Sequence, residues 1–243
     1  MIKVKKIILK HNLQYLFLAI GLYIVKALLY FGVAKIPVTI HHFHMKIDEL
    51  IPFNKYFYVF YFSYYILPIL FLWILSFYNK DKFWYLICGA LMANLIACLF
   101  FIFYQVQMIR PEYYENLELS LFEVRSVSEF FDFCIANQYN MDEGALNCFP
   151  SLHCVGGTLL ALLGLKLSKK ENRFPLWMRI FCVFFGCGII ASTVFVKQHY
   201  FIDSVCGTLL MIITYFISIP LVNFVKKKIK IRKESKEVTL LES

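Results

Sequence analysis

The chain has 243 residues, of which 60% are hydrophobic and 19% aromatic, and its formal net charge at pH 7 is +9. Soluble domains are closer to half apolar and a quarter charged, so this composition excludes an ordinary soluble protein. Several apolar runs approach or exceed the roughly 20 residues that a bilayer-spanning helix needs, which predicts an all-α polytopic membrane protein.

Six apolar segments follow one another along the chain, and each is predicted to be a transmembrane helix. They are residues 13–34, 56–78, 83–103, 151–167, 176–196 and 200–225. The fourth is short, but Gly156, Gly157 and Gly164 would let its backbone pack closely against a neighbouring helix. We therefore expect one integral membrane domain over residues 1–243.

The polar parts of this domain are also readable from the sequence. The first apolar segment is too long for a signal-peptide core and is retained as an anchor. It contains Lys26, which either faces the bundle interior or reaches toward an interface. In the long connection before the fourth segment, residues 116–136 predict an amphipathic helix on the membrane surface. Beyond the core at 13–225, the basic tail at 226–243 is expected to be disordered or to lie on anionic lipid.

The distribution of basic residues orients the six segments. If the N-terminus is cytoplasmic, most of the 25 Lys and Arg residues fall on the cytoplasmic side, in agreement with the positive-inside rule. Both termini are then cytoplasmic, and Arg110, His153 and His199 share the extracytoplasmic face. The short chain and compact loops favour a bacterial plasma membrane.

The sequence gives little support to a metal or redox site. No Cys-x-x-Cys pair occurs among the eight cysteines, and most of them lie within apolar runs. Cys134 and Cys148 share a polar connection, which leaves a disulfide between them open. His41, His42 and His44 lack a second ligand set, so a solvated interfacial segment is favoured there. We predict no metal, no cofactor and no nucleic-acid partner.

The stretch at residues 192–207 has the strongest chemical character, and it reads S-T-V-F-V-K-Q-H-Y-F-I-D-S-V-C-G. His199 and Asp203 are four residues apart, so a helix that begins near Tyr200 would place them on one face. The Asp203 carboxylate could then accept the imidazole Nδ1–H and leave Nε2 free to act as a nucleophile.

Two further loop–helix junctions offer complementary groups. Pro150-Ser151-Leu152-His153 opens the fourth apolar segment, and Arg110-Pro111 follows the third. Arg110, Lys197 and Ser151 supply positive charge and donors, which a phosphate dianion needs. His153 could protonate a departing alkoxide and then deprotonate the water or alcohol that accepts the phosphoryl group.

These motifs resemble those of the type 2 phosphatidic acid phosphatase superfamily, whose members share a six-helix membrane core. The first family motif is Lys, six residues, Arg-Pro, and here Phe103 replaces the Lys. The second is Pro-Ser-Gly-His, and Leu152 replaces the Gly. The third is Ser-Arg, five residues, His, three residues, Asp, and Thr193 replaces the Arg. The other motif positions match.

The resemblance implies a role for each matching residue. His199 would be the nucleophile, Asp203 its orienting group and His153 the acid/base, while Arg110 and Ser151 would bind phosphate. The reaction would pass through a phosphohistidine without metal. Lys197 would restore one of the two missing positive charges.

Residues 48–53 and the Lys-Gln-His-Tyr sequence at 197–200 are similar to the inositol phosphorylceramide synthase-like branch. The predicted function is therefore a membrane lipid phosphate phosphatase or phosphotransferase. A headgroup transferase as sole activity is one alternative. A non-catalytic membrane scaffold or lipid transporter is another, because Phe103 and Thr193 are uncharged. The expected partners are a lipid phosphate, membrane lipids and an alcohol or lipid acceptor, with the oligomeric state left open.

Overall fold

The computed structural model describes residues 2–33, 36, 38–141, 146–166 and 174–241, and these residues are mainly helical. The α-helices in this part of the chain are α1 (Ile2–Val33), α2 (Lys46–Leu50), α3 (Tyr58–Ser63), α4 (Leu67–Tyr78), α5 (Lys80–Phe103), α6 (Glu112–Glu115), α7 (Val127–Met141), α8 (Leu152–Gly164), α9 (Leu176–Phe195) and α10 (Phe201–Leu241). Short 3₁₀ turns cover Lys55–Phe57 and Leu121–Glu123. The two-residue strands β1 (Ile40–His41) and β2 (Gln105–Val106) pair in parallel.

Five helical segments in the described residues are long and apolar enough to cross a membrane, which makes the chain an integral membrane protein. They are Asn12–Val33, Lys55–Tyr78, Lys80–Phe103, Leu176–Phe195 and Phe201–Ser235. Five of the six predicted spans are thus supported. The fourth corresponds to α8, whose 13 residues extend about 20 Å at 1.5 Å per residue, less than the roughly 30 Å hydrocarbon core. The sixth span and the membrane orientation stay predictions.

Helix α8 is the centre of the bundle, and 11 of its 13 residues are buried. It packs most extensively against α9 and then against α10, α4 and α5. A Cβ atom added to Gly186 would lie 2.6 Å from the Gly157 carbonyl oxygen, and one added to Gly164 would lie 2.4 Å from the Arg179 carbonyl oxygen. The close packing expected at these glycines is confirmed, because only residues without a Cβ allow such an approach.

The second predicted span is broken between α3 and α4. Pro68 at the start of α4 has no N–H to donate to the carbonyl of Tyr64, so the regular helix ladder cannot continue there. The turn just before Pro68 is also tighter than an α-helix, because the Tyr64 N–H donates to the Tyr61 carbonyl at 3.3 Å, three residues back rather than four. This break leaves the rings of Tyr61, Tyr64 and Tyr65 in contact with His153 at the start of α8.

Two predicted segments have different bounds in the structure. The amphipathic helix expected at 116–136 is wrong in position, since α7 covers Val127–Met141. The Ser126 hydroxyl accepts the Glu129 N–H at 3.2 Å, and this Ser-x-x-Glu pattern is a helix-start signal. The tail is helical as far as Leu241, where α10 ends, so the expected disorder is not observed there, and residues 242–243 lie outside the described part of the chain. Its proposed contact with anionic lipid stays a prediction.

The glycine seam between α8 and α9 gives a test of the fold. Gly186→Ala should destabilise the protein by about 2 kcal/mol and lower the midpoint of thermal unfolding by roughly 5 °C, because the new methyl group overlaps the α8 backbone. Gly21→Ala is the matched control, since no atom lies within 4 Å of a Cβ added there. Equal midpoints for the two variants in detergent would contradict the close packing.

Candidate active site

A cavity of about 390 Å³ lies where α1, α3, α7 and the start of α8 meet the loop before α10. Much of its wall is aromatic, and five tyrosines, from α1, α3 and the turn after α3, are among the lining residues. Its polar lining includes Lys26, Asn147, His153, Gln198 and His199. The fold therefore brings both predicted catalytic histidines to one space, together with polar groups that are distant in sequence.

His199 is held in one tautomer by the backbone. Its Nδ1 atom lies 3.0 Å from the Cys148 carbonyl oxygen. Since a carbonyl oxygen only accepts hydrogen bonds, Nδ1 carries the proton and Nε2 keeps its lone pair. The expected partner, Asp203, has its Oδ2 atom 3.7 Å from Nδ1, beyond hydrogen-bond distance. The tautomer expected from the sequence is thus held, but by a different acceptor.

Asp203 is fully buried in the first turn of α10. Its Oδ2 atom accepts the Tyr200 N–H at 2.9 Å, so the carboxylate satisfies a donor at the helix N-terminus. The same oxygen is the one 3.7 Å from His199 Nδ1. Asp203 therefore places negative charge next to the imidazole, where it would stabilise a positive charge that develops on the ring.

His153 lies in the first turn of α8 between two tyrosine rings. The centroid of its ring is 4.3 Å from those of Tyr61 and Tyr64, and 5.6 Å from that of His199. Its Nε2 atom is buried and makes no hydrogen bond with the described residues. Buried polar atoms are nearly always satisfied in folded proteins, so this atom is available to a ligand.

Ser151 lies behind the cavity wall and joins the second motif to the third. Its hydroxyl accepts the Cys154 N–H at 3.2 Å as the N-cap of α8. Its own N–H donates to the Asp203 carbonyl oxygen at 3.1 Å. The side chain does not line the cavity, so the structure places Ser151 next to the histidines as a helix cap.

Arg110 also lies behind the wall, and it connects the first motif to the third. Its Nη2 atom donates to Gln198 Oε1 at 2.8 Å, and Gln198 lines the cavity. Its Nη1 atom donates to the Tyr139 carbonyl at 3.3 Å, and the guanidinium carbon lies 4.5 Å from the centroid of the Tyr139 ring. The predicted meeting of the three motifs at one end of the bundle is therefore observed.

Lys197 is not brought to the cavity. Its ammonium donates to the carbonyl oxygens of Asp48 at 2.7 Å and Ile51 at 2.6 Å, and its backbone has a positive φ of 50°. Burial lowers the pKa of the Lys197 ammonium, and the Asp48 carboxylate acts in the opposite direction. These contacts anchor the loop that carries His199, and the predicted phosphate-binding role of Lys197 stays a prediction.

Asp48 belongs to the polar connection before the second span and has no predicted site role, but in the structure it holds the start of α10. The side chain is buried, and its Oδ1 atom accepts the Phe201 N–H at 2.7 Å. With Lys197 donating to the Asp48 carbonyl, residues near 48 hold both sides of the His199 loop. An Asp at a helix N-terminus can be recognised in a sequence when it is close to that helix, but Asp48 lies about 150 residues before α10.

Lys26 is the second group that sequence reasoning left unassigned. Of its two expected positions, the structure shows the interior one, because Lys26 lines the cavity with both histidines. The available signal was its charge within an otherwise apolar span, which marks a candidate functional residue.

Among the described residues, one group has donor atoms close enough for a metal ion. The ligand atoms of Cys148, His199 and Asp203 lie within 4.8 Å of one another. The Cys148 thiol donates to the Gln198 carbonyl at 3.6 Å, so each of the three has a partner within the fold as well. No disulfide joins Cys134 to Cys148.

One comparison with known proteins identifies a family. A family model described as the PAP2 superfamily matches residues 35–217, about three quarters of the chain. No curated protein and no solved structure matches. The matched range includes all three motifs and begins after Lys26.

The anchoring of the His199 loop can be tested by hydrogen exchange. Lys197→Met should raise the exchange rate of peptides near 48–54 and 196–203 by roughly 10-fold, because two carbonyls lose a charged donor worth about 1.5–3 kcal/mol. Lys46→Met is the control, since Lys46 is exposed on the same segment. Unchanged exchange in Lys197→Met would show that these bonds do not hold the loop.

Proposed function

The chain belongs to the PAP2 superfamily, and from that premise we propose that it transfers the phosphoryl group of a lipid phosphate ester. Members of this superfamily are generally phosphatases or phosphotransferases. The observation that carries the proposal is the shared cavity in which the rings of His153 and His199 lie 5.6 Å apart. One phosphoryl group could contact both imidazoles at that separation.

In the proposed first step, His199 Nε2 attacks phosphorus in line with the bond to the leaving oxygen. A P–N bond forms, the P–O bond breaks, and the product is a phosphohistidine with its alcohol. The Cys148 carbonyl supports this role because it keeps the proton on Nδ1. The imidazole gains positive charge as the bond forms, and the Asp203 carboxylate 3.7 Å from Nδ1 offsets that charge.

His153 is proposed to move the proton. It gives a proton to the departing alkoxide, and in the second step it takes one from the water or alcohol that attacks the phosphohistidine. The P–N bond then breaks and restores neutral His199. Support comes from the unpartnered His153 Nε2 atom and from the two tyrosine rings that hold the imidazole in place.

Arg110 and Ser151 are proposed to stabilise the phosphoryl group from the cavity wall. Arg110 contacts Gln198 at 2.8 Å, so exchange of this partner for phosphate would bring its guanidinium to the substrate. Ser151 caps α8, whose N-terminus favours a nearby anion. Charge-assisted donors of this kind replace the hydration that the phosphate loses.

The cavity rim supports a lipid as the phosphate ester. Phe31 on α1 and Phe62 on α3 line the cavity, and they are 56% and 50% exposed. Both belong to candidate membrane spans, so an acyl chain could remain in the bilayer while its phosphate enters. Water as acceptor gives a phosphatase. A lipid alcohol that enters by the same rim gives a transferase, which is the second candidate.

The direct test is turnover of a panel of labelled lipid phosphates by detergent-purified protein. Free phosphate and new phospholipid should be measured separately, with and without an alcohol acceptor. His199→Ala should lower turnover on the order of 10⁴-fold or more, because the nucleophile is lost. An alkaline quench should trap label on the wild-type protein and none on this variant.

His44→Ala is the control for the loss of an imidazole, since His44 is exposed and contacts Glu49. It should retain wild-type turnover. Labelled protein from His199→Ala would remove His199 as the nucleophile. If wild-type protein formed neither product from any donor, a non-catalytic scaffold or lipid transporter would be the better description.

A second prediction concerns metal dependence. Turnover should survive EDTA, because the cations proposed to bind the phosphate are side chains of the chain itself. The measurement is the initial rate before and after chelation, followed by Zn²⁺ or Mg²⁺ addition. Loss in EDTA with recovery on added metal would instead support a site at Cys148, His199 and Asp203.

A further inference from the structure

The cavity contains a cation that the family match does not cover. Lys26 belongs to the apolar span Asn12–Val33, whereas the match begins at residue 35. A charged residue in such a span costs free energy unless it faces a polar interior or a partner. Lys26 lines the same cavity as His153 and His199, so its charge faces the proposed reaction space.

The contacts of Lys26 orient its ammonium without neutralising it. Nζ donates to the Tyr64 hydroxyl and lies 4.2 Å and 4.6 Å from the ring centroids of Tyr64 and Tyr23. No carboxylate of the described residues lies within ion-pair distance of it. Cation–π contacts favour the charged form but leave its net charge in place. Within the described part of the chain, two of the three ammonium protons have no acceptor and are available to an anion.

Tyr64 connects this ammonium to the acid/base candidate. Its ring centroid lies 4.3 Å from that of His153, and its hydroxyl accepts from Lys26. A Cβ added to Gly156 would lie 2.2 Å from Tyr64 Cε2, so the ring fits only because Gly156 has no side chain. Tyr64 therefore contacts Lys26 through its hydroxyl and His153 through its ring.

Three positions at which the family motifs or the sequence predict a phosphate-binding cation do not line the cavity. Phe103 is apolar and 78% exposed. Thr193 is buried, and its hydroxyl lies 2.8 Å from that of Ser204. Lys197 donates to two backbone carbonyls. A phosphate dianion that entered the cavity would thus meet the Lys26 charge from α1.

We propose that the Lys26 ammonium binds the phosphate of the substrate and stabilises the charge that develops during phosphoryl transfer. This inference rests on the proposed function and adds α1 to the machinery of the three motifs. It also assigns the Tyr23 and Tyr64 rings to the positioning of that ammonium.

The kinetic test compares Lys26→Met and Lys26→Arg with wild-type protein. Lys26→Met should lower kcat/KM for a lipid phosphate on the order of 100-fold, as for loss of one transition-state donor. It should weaken inhibition by orthovanadate, a phosphoryl-transfer analogue, by a similar factor. Lys26→Arg keeps the charge and should recover at least a tenth of the wild-type kcat/KM.

Lys80→Met is the matched control. Lys80 is exposed, and its ammonium lies 5.5 Å from the ring centroid of Tyr15 on α1, the helix that carries Lys26. This variant therefore removes an ammonium beside an α1 tyrosine without touching the cavity, and it should behave as wild type. A folded Lys26→Met protein within threefold of wild-type kcat/KM and vanadate inhibition would overturn the proposal.

A second measurement needs no variant and no turnover. Wild-type protein would be treated with an amine-acylating reagent, with and without inorganic phosphate, and modification of each lysine measured by mass spectrometry. Phosphate should slow modification of Lys26 at least threefold and leave Lys80 unchanged. Equal modification of Lys26 in both conditions would overturn the proposal even if Lys26→Met failed to fold.

The two measurements also separate this inference from the proposed function. Wild-type protein that turns over lipid phosphates while Lys26 is neither protected nor required would defeat only the role of Lys26. Wild-type protein without turnover would defeat the proposed enzyme. Phosphate protection of Lys26 would then still identify the cavity as an anion site.

Discussion

The close approach of α10 to the start of α8 is the constraint on which the site depends. A Cβ added to Gly207 would lie 2.3 Å from the Ser151 carbonyl oxygen, so a larger residue would push the two helices apart. At this distance the Ser151 N–H reaches the Asp203 carbonyl at 3.1 Å. The second and third motifs are thereby joined through backbone atoms, and His153 and His199 come to share one cavity.

Backbone groups also set the chemistry of His199. The Cys148 carbonyl holds the Nδ1 proton, while Asp203 is engaged at the N-terminus of α10 and contributes its charge from 3.7 Å. The Asp203 carboxylate thus caps α10 and also places negative charge near the His199 imidazole. Tyrosines of the same cavity contact Lys26 and His153 through their rings, and the Tyr64 hydroxyl takes one of the Lys26 donors.

Much of the fold could be predicted from the sequence because a membrane-spanning helix needs a continuous run of about 20 apolar residues. Five segments agree with candidate spans in the structure. The short α8 did not fit this rule, since its apolar surface faces other helices and need not match the bilayer. The helix predicted at 116–136 begins 11 residues later and ends 5 residues later in the structure, because the capping signal at Ser126 sets its start. Pro68 explains the break in the second span. The contact of the nearby tyrosine rings with His153 depends on the packing of α8 and cannot be read from the local sequence.

The three motifs, their residue types and their order at helix junctions can be recognised from the sequence alone, because they depend on local spacing. The ends of the apolar segments were therefore enough to place His153, His199, Asp203 and Arg110 near one another. Which groups reach the cavity, by contrast, depends on how the helices pack in three dimensions. Lys197 turned toward the carbonyls of Asp48 and Ile51, and Lys26 turned inward. Both outcomes depend on contacts between segments more than 35 residues apart in the chain, and such contacts leave no periodic signal in the sequence.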